Sequence, residues 1–420
     1  MEKLIVHGGA VLKGSIDISG SKNSSLPILA ATLLTKETCT IRRVPDLSDT
    51  NYMVRILGEL GAEVERASGV VAVKAETIKS TAPYELVRKM RASICVLGPL
   101  TGRLRKASVS LPGGCVIGDR PVDLHLKGLE ALGAKIQVEA GDIFVDAESG
   151  FKGGTMNLMG KQGSTVLGTD NVMMAATLAD GVTVIEGAAA EPEVEDLANF
   201  LIKMGAKIEG AGTNRIVIEG VKELHGAEHT VIPDRIEAGT FLCAGAMMGE
   251  GVTLRRVNAA HMTAVIEALQ KSGFAMKIDS DTITISANPR ARGFDLTTLC
   301  YPGFPTDMQA QFCALASAIE DTSAISETIF PQRFMHVAEM KRMGASIELE
   351  GSLAKIRGGV PLRGAPVMAS DLRASAALVL AGMLAKGKTE VNRLYHIDRG
   401  YEHLDDKLAS LGAKLERAQE

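Results

Sequence analysis

A glycine-rich loop at residues 111–123 carries the most reactive combination of side chains in the sequence. It reads LPGGCVIGDRPVD, with Cys115 near its centre and Arg120 five residues later. A neighbouring cation favours the thiolate form of a cysteine, which is the nucleophilic form. Cys115 is therefore a candidate reactive thiol, and a structural cysteine is the alternative.

Charged residues recur where Ala-rich helices are predicted to begin. Lys22, Arg91 and Arg373 each fall at such a position. A helix start has unpaired N–H groups and a partial positive charge, so a cation there is unfavourable unless an anion shares the site. Asp307 and Asp371 are the residue type that helix starts favour. The functional interpretation is an anionic substrate at these helix starts, and the structural one is a set of solvated side chains.

Three arginines each precede the second helix of a different segment. They are Arg120, Arg333 and Arg399. A guanidinium group suits bidentate recognition of phosphate or carboxylate. If the three segments are equivalent parts of a repeat, these arginines converge and predict an anion site.

A repeat positions all of these residues. A helix ends in Gly and a strand follows at six places, and the Gly positions are separated by 68 to 72 residues: 61, 133, 205, 273, 344 and 412. Gly stops a helix because it adopts a left-handed conformation without steric cost. The period predicts six α/β units of about 70 residues, and thus two domains of three units. A hairpin-like segment, 3–20, precedes the first unit and has no full counterpart.

Composition excludes several classes of protein. The chain has 420 residues, a net charge of −4, no Trp and 4% aromatic residues, which argues against a dedicated nucleic-acid binder. No signal peptide is evident, and the longest apolar run, 374–385, is shorter than the roughly 20 residues of a membrane span. Cysteines without CxxC spacing are typical of a reduced, cytoplasmic protein.

Two motifs match known sites only by their letters. Residues 382–389 match a phosphate-binding loop, but here a helix should precede the loop and a strand should follow it, which is the reverse of the required order. His225 and His229 have the spacing of a zinc protease motif, but Gly226 and the flanking strands argue against the helix that the motif needs. Both are interpreted as ordinary turns.

The chain resembles the UDP-N-acetylglucosamine enolpyruvyl transferases from end to end. The resemblance lies in the motifs GSKN (20–23), KMRAS (89–93), LPGGCVIGDRPVDLHLKGLEALGA (111–134), FPTDMQAQF (304–312), RFMHVAEMKRMGA (333–345), DLRAS (371–375) and YHIDRGYEHLDDKL (395–408). It implies an inside-out α/β barrel in two domains of three repeats. Residues 1–21 with 232–420 would form one domain and 22–231 the other, with the active site in the cleft between them.

The resemblance also implies an activity. This family transfers the enolpyruvyl group of phosphoenolpyruvate to the 3′-hydroxyl of UDP-N-acetylglucosamine and releases phosphate, in the first committed step of peptidoglycan synthesis. It uses no metal and no organic cofactor, and the epoxide fosfomycin alkylates its loop cysteine. We expect no nucleic acid partner and no membrane insertion.

The family's residue roles carry over onto matching positions. Lys22, Arg120 and Arg399 would hold phosphoenolpyruvate, Cys115 would be the loop acid, and Asp307 would accept the proton of the sugar hydroxyl. The other implied substrate-binding residues are Asn23, Arg91, Pro121, Val122, Asp123, Leu124, Lys161, Ile329, Arg333, Asp371 and Arg373. The run after Lys161 departs from the family pattern through 170, so the contacts there are not assigned.

Two alternatives stay open at this point. The sister enolpyruvyl transferase acting on shikimate 3-phosphate shares the fold and phosphoenolpyruvate, although the Gly-Gly-Cys loop and the run after Gly118 argue against it. A ring-shaped DNA clamp is also built from α/β repeats, but it needs neither a reactive loop cysteine nor cations at helix starts.

Overall fold

The computed structural model describes residues 2–112 and 122–419. Cys115, Arg120 and Pro121 therefore lie outside the described residues. The contacts divide the described chain into two compact units. The N-terminal unit consists of residues 20–112 and 122–232, and the C-terminal unit consists of residues 2–19 and 233–419.

Helices and short strands alternate through both units. The α-helices of the described residues are α1 (Lys22–Ala31), α2 (Ser48–Glu59), α3 (Tyr84–Val87), α4 (Leu97–Leu104), α5 (Asp123–Ala131), α6 (Val166–Ala176), α7 (Pro192–Lys203), α8 (Arg235–Met248), α9 (Thr263–Lys271), α10 (Gln309–Ala318), α11 (Met335–Arg342), α12 (Leu372–Leu384) and α13 (Leu404–Ser410). Short 3₁₀ helices cover Thr32–Leu34, Arg91–Val96, Ala259–Met262, Thr306–Met308 and Leu394–His396.

The strands are short, mostly of three to six residues. They are β1 (Glu2–His7), β2 (Leu12–Asp17), β3 (Thr38–Arg42), β4 (Glu63–Ala67), β5 (Val70–Lys74), β6 (Lys106–Ser110), β7 (Lys135–Glu139), β8 (Asp142–Asp146), β9 (Thr155–Asn157), β10 (Met159–Gly160), β11 (Gly163–Ser164), β12 (Val182–Glu186), β13 (Lys207–Glu209), β14 (Arg215–Glu219), β15 (Glu228–Thr230), β16 (Gly249–Arg255), β17 (Met276–Ile278), β18 (Thr282–Ile285), β19 (Asp295–Thr297), β20 (Thr322–Ser326), β21 (Ser346–Glu350), β22 (Leu353–Arg357), β23 (Pro366–Met368), β24 (Lys388–Asn392) and β25 (Lys414–Gln419).

The larger sheets share one topology. Three strands pair antiparallel, and in five of the six larger sheets of the described residues a fourth strand joins one edge in parallel. The N-terminal unit contains the sheets β15-β3-β5-β4, β6-β8-β7 and β13-β14-β12-β9, and a small β10-β11 ribbon. The C-terminal unit contains β17-β18-β16-β2, β19-β20-β22-β21 and β23-β24-β1-β25. In the sheet β6-β8-β7, a single parallel bridge between Thr81 and Ser108 takes the place of the fourth strand.

The expectation of a hairpin at residues 3–20 is wrong. β1 lies between β24 and β25 and pairs antiparallel with both, so neither of its edges is open to β2. β2 instead joins β16 in parallel, in a different sheet. β1 is thus one of the two inner strands of the sheet that also contains β25.

The predicted helix-stop glycines are confirmed. Gly61 has φ +106° and Gly133 has φ +101°, each just beyond the end of its helix. The other four, Gly205, Gly273, Gly344 and Gly412, have φ between +95° and +109°. At each of them the chain turns from the helix directly into the next strand.

The Ala-rich helices form the centre of each unit. In the C-terminal unit α8, α10 and α12 pack against one another, and in the N-terminal unit α1, α4 and α6 lie inside. Helices that are apolar on all sides are typical of a buried position. Their amino-terminal ends carry most of the charged residues singled out above, so the packing of these helices positions the site.

The two rejected motifs lie in ordinary turns. α12 precedes residues 385–387 and β24 follows them, in the order predicted. His225 lies in an exposed loop and His229 in β15, not on one helix. Within the described part of the chain, no helix is both long and apolar enough to cross a membrane.

Candidate active site

Asp307 accepts hydrogen bonds from two buried arginines in the C-terminal unit. Arg333 Nη1 donates to Asp307 Oδ1 at 2.8 Å. Arg373 donates to Asp307 Oδ2 from Nε at 3.2 Å and from Nη2 at 3.1 Å. Asp307 lies in the 3₁₀ turn before α10, Arg373 in the first turn of α12 and Arg333 just before α11. Three of the predicted site residues are therefore in direct contact.

Charge pairing keeps both guanidinium groups protonated. Burial disfavours the charge on Arg333, but Asp307 and Asp371 outweigh burial and raise its pKa. The pKa of Arg373 is raised for the same reason, with Tyr401 and Asp307 as the main favourable partners. Removing the carboxylate would leave two buried cations facing each other.

Asp371 caps α12 and fixes the orientation of Arg373. Its Oδ1 accepts the backbone N–H groups of Arg373 at 2.8 Å and Ala374 at 3.1 Å. The guanidinium of Arg373 lies 5.2 Å from the centre of the Tyr401 ring. The cap bonds hold the backbone at the start of α12, and the bonds to Asp307 and the ring contact hold the guanidinium group.

Tyr401 and Gln311 connect the central helices beneath Asp307. The Tyr401 hydroxyl lies 2.9 Å from Thr240 Oγ1 on α8. Gln311 Nε2 on α10 donates to Thr240 Oγ1 at 3.0 Å and to the Asp307 carbonyl at 3.0 Å. These buried bonds hold the turn that carries Asp307 against α8.

The charges of Arg333, Arg399 and Asp371 act on two histidines, His336 and His396. Burial lowers the pKa of His336 to about 4, with Arg333 acting in the same direction and Asp371 against it. Burial and Arg399 lower the pKa of His396, while Asp371 acts against them. Arg399, Arg333 and Asp371 therefore act on neighbouring groups. Ile329 is half-buried on the loop that leads to α11.

Lys22 pairs with a buried aspartate in the N-terminal unit. Its Nζ lies 3.0 Å from Asp49 Oδ2, and the Asp49 side chain is 2% exposed. Lys22 is the first residue of α1, capped by Ser21, whose Oγ accepts from the backbone N–H of Ser24 at 3.3 Å. Asn23 follows and is half-buried. A cation at this helix start is offset by Asp49, a partner that sequence spacing did not indicate.

The predicted nucleotide-sugar residues of this unit lie on several elements. Arg91 begins the 3₁₀ helix Arg91–Val96, and Asp123 and Leu124 open α5 directly after the buried Val122. Lys161 is exposed in the turn between β10 and β11. Lys127 Nζ, in the middle of α5, donates to the Asn157 carbonyl at 3.0 Å, so this helix lies beside the strand that leads into the ribbon.

An unpredicted acidic group includes Asp170 on α6. Burial raises the pKa of Asp170 well above its usual range, and Glu191 and Glu193 add to the increase. Burial raises the pKa of the Cys95 thiol, Asp170 adds to the increase and Arg91 acts against it. Arg91 therefore lies near this acidic group.

A second unpredicted network supports the first turn of α1. Ser24 Oγ donates to Asp196 Oδ2, which also accepts the Ile232 N–H at 3.2 Å. Asp196 Oδ1 lies 2.8 Å from His229 Nε2, and Lys203 Nζ lies 3.2 Å from His229 Nδ1. Because an ammonium group only donates, Nδ1 accepts and Nε2–H donates to Asp196. His229 is thus a structural residue and not half of a metal site.

Comparisons with known proteins identify the family. A family model described as EPSP synthase (3-phosphoshikimate 1-carboxyvinyltransferase) matches residues 6–408. A relative from Akkermansia muciniphila, named UDP-N-acetylglucosamine 1-carboxyvinyltransferase, is 61% identical and is aligned over 99% of both chains. The chain belongs to this enolpyruvyl transferase family. Relatives of the same name from Methylacidiphilum infernorum and Coxiella burnetii are 61% and 54% identical; the first covers 99% of both chains, and the second 99% of this chain and 96% of its own.

Solved structures of the family share the fold. The enolpyruvyl transferase NikO from Streptomyces tendae matches with a TM-score of 0.91 at 24% identity, over 99% of both chains. The EPSP synthase from Acinetobacter baumannii matches with a TM-score of 0.78 at 18% identity, over the whole of both chains. The α/β class predicted from the repeat is therefore confirmed.

Proposed function

We propose that the protein transfers the enolpyruvyl group of phosphoenolpyruvate to the 3′-hydroxyl of UDP-N-acetylglucosamine and releases phosphate. The observation that carries this conclusion is the 61% identity, over 99% of both chains, to a relative named for this reaction. The motifs that carry the predicted site residues fall within the aligned length. The product is the first committed precursor of peptidoglycan, and both substrates are cytoplasmic metabolites, which supports a cytoplasmic enzyme.

The sister reaction on shikimate 3-phosphate is the second candidate. It gives its name to the family model that matches this chain. A solved structure of that name is only 18% identical, whereas relatives named for UDP-N-acetylglucosamine reach 51% to 61%. The higher sequence identity to these relatives favours UDP-N-acetylglucosamine as the acceptor.

The two compact units support the proposed domain organisation. We assign residues 1–21 with 232–420 to one domain and 22–231 to the other, each an inside-out barrel of three repeats. The contacts divide the chain within two residues of these bounds. Three larger sheets in each unit agree with three repeats per domain.

The charged groups of the C-terminal unit suit the proton transfers. Asp307 would take the proton from the sugar hydroxyl while the hydroxyl oxygen adds to C2 of phosphoenolpyruvate. Cys115 would give a proton to C3. Loss of phosphate and of a C3 proton then restores the vinyl group. Two arginines stabilise the Asp307 anion and make Asp307 a weak base. If one arginine left Asp307 and bound a substrate oxyanion, the basicity of Asp307 would rise. Asp371 and Arg373 would keep this arrangement in place.

The anion contacts come from Lys22, Arg120 and Arg399, assigned here to phosphoenolpyruvate. Three fixed cations match a substrate that carries a phosphate and a carboxylate. The nucleotide-sugar contacts are assigned to Asn23, Arg91, Pro121, Val122, Asp123, Leu124, Lys161 and Ile329. Arg333 is assigned as a further substrate-binding residue.

A phosphate-release assay with matched acceptors tests this function. Phosphoenolpyruvate is supplied with UDP-N-acetylglucosamine, with shikimate 3-phosphate or with no acceptor. We expect phosphate release only with the nucleotide sugar, and a product heavier than UDP-N-acetylglucosamine by one enolpyruvyl group. Release only with shikimate 3-phosphate would establish the sister activity, and no acceptor-dependent release would overturn both.

A further inference from the structure

Glu327 is a buried carboxylate that the sequence motifs did not single out. It follows β20 directly and is 0% exposed. Its Oε1 accepts from Thr298 Oγ1 at 2.7 Å and from the backbone N–H groups of Ile329 at 2.9 Å and Phe330 at 3.0 Å. Its Oε2 accepts from Thr306 Oγ1 at 2.8 Å. Four neutral donors thus satisfy this buried anion.

The bond to Thr306 connects Glu327 to the Asp307 site. Because the Thr306 hydroxyl donates its hydrogen to Glu327, the lone pairs of Thr306 Oγ1 are free to accept a bond from another donor. Arg333 Nη1 donates to Thr306 Oγ1 at 3.1 Å and to Asp307 Oδ1 at 2.8 Å. Glu327 therefore sets the direction of a hydroxyl that helps to hold the arginine against the candidate base.

The two backbone bonds fix the other side of the site. Ile329 and Phe330 start the loop that carries Arg333 into α11. A single carboxylate therefore connects the turn of Asp307 to the loop of Arg333. The requirement for a carboxylate is chemical, because all four partners donate and a glutamine would place its own N–H₂ against one of them.

We propose that Glu327 is a positioning residue that keeps Asp307 and Arg333 in the geometry needed for proton transfer. This role rests on the proposed function. It concerns the transition state more than substrate affinity, since Glu327 is buried and Thr306 and the loop backbone stand between it and the reacting groups. Its loss is therefore expected to lower kcat while the KM for phosphoenolpyruvate changes little.

Two variants test the chain of contacts from different ends. Glu327→Gln reverses one donor–acceptor pair, and Thr306→Val removes the hydroxyl that relays it. We expect each to lower kcat at least tenfold and to change the KM for phosphoenolpyruvate less than twofold. Thr298→Val is the matched control, because it removes an equally short bond to Glu327 on the side away from Asp307, and we expect less than a threefold loss of kcat.

The readouts separate positioning from stability. Melting temperatures are measured for all three variants. The kcat losses of Thr306→Val and Thr298→Val are then compared after allowing for any difference between their melting temperatures. A kcat unchanged in Glu327→Gln, or equal kcat losses in both threonine variants, would overturn the positioning role alone. If Glu327→Gln does not fold, the comparison of the two threonine variants decides. Wild-type protein without phosphate release from UDP-N-acetylglucosamine would overturn this role together with the proposed function.

Discussion

Asp307 is the residue on which the chemistry of the C-terminal unit converges. Substitution by Asn keeps its shape but removes the charge that two buried arginines share. We expect Asp307→Asn to lower kcat by at least about 100-fold, the usual contribution of a general base. The free energy of unfolding should fall by about 1–2 kcal/mol, because the Asp307 side chain is 28% exposed and water screens part of the pairing.

Asp405→Asn provides the matched control for this prediction. Asp405 lies on α13 and also accepts a short hydrogen bond from an arginine, Arg417 Nε at 2.7 Å. Among the described residues, its hydrogen bonds do not involve Asp307, Arg333 or Arg373. Its kcat should match the wild type. Phosphate-release kinetics and urea denaturation measure both effects, and a fully active Asp307→Asn would exclude Asp307 as the base.

His336 should make stability depend on pH. Burial lowers its pKa in the folded state from 6.5 to about 4, so the unfolded chain takes up this proton first as pH falls. The stabilisation from its neutral form is complete above pH 6.5 and is lost between pH 6.5 and about 4. Relative to His336→Gln, the wild type should lose about 2 kcal/mol of unfolding free energy between pH 7 and pH 5.

Urea denaturation across that pH range measures the difference. His225→Gln is the control, since it replaces an exposed histidine and leaves the buried His336 in place. Parallel curves for wild type and His336→Gln would contradict the predicted role of burial at this residue.

Sequence motifs located the charged residues better than their partners. Asp307, Arg333 and Arg373 were predicted and are in contact, because helix starts and the ends of repeat segments can be recognised in a sequence. Glu327 and Asp196 were missed. Asp196 binds Ser24 across 172 residues of sequence, and only the packing of α7 against α1 brings the two together.

At the scale of elements, the helix-stop glycines offer a matched pair. Gly61 and Gly133 end equivalent helices with nearly equal positive φ angles. A Cβ at Gly133 would meet no atom within 4 Å, whereas at Gly61 it would lie 2.8 Å from the Thr77 carbonyl oxygen. Gly133→Ala should cost about 1–3 kcal/mol from backbone strain alone.

Gly61→Ala should cost more than Gly133→Ala, because the backbone carbonyl must also move. Urea denaturation of the two variants gives both differences in unfolding free energy. Equal losses would mean that the close approach at Thr77 carries no cost.

The repeat period predicted elements well and their pairing poorly. The glycine spacing located six helix-to-strand turns, since that signal is local. The partners of β1 and β2 were not predictable, because the sequence did not show which sheet each strand would join. The paired residues lie up to 417 positions apart, as do Glu2 and Gln419. The nine residues 113–121, which include Cys115, lie outside the described residues, so their predicted roles stay predictions.

At the scale of the whole molecule, the two units differ in how their sheets are completed. The described strands of the N-terminal unit all lie within residues 38–230, and this unit has its own buried apolar cluster. Two sheets of the C-terminal unit need β1 and β2 from the start of the chain. A fragment of residues 20–232 should therefore fold alone, whereas a fragment of residues 233–420 should not.

Circular dichroism and urea titration of the two fragments test this difference. The first should unfold cooperatively, and the second should do so only after a peptide of residues 1–19 is added. Cooperative unfolding of residues 233–420 without the peptide would contradict the structural importance of β1 and β2.

The inner position of β1 has a consequence for protein synthesis. The ribosome makes β1 before its neighbours β24 and β25, which begin more than 380 residues later in the chain. At roughly 5–20 residues per second, the buried run Leu4 to Val6 waits about 20–80 s with both strand edges open. Unpaired apolar edges invite association with other chains. We therefore expect the nascent chain to depend on protection, by a chaperone or by the ribosome surface, until β24 and β25 emerge and pair with β1.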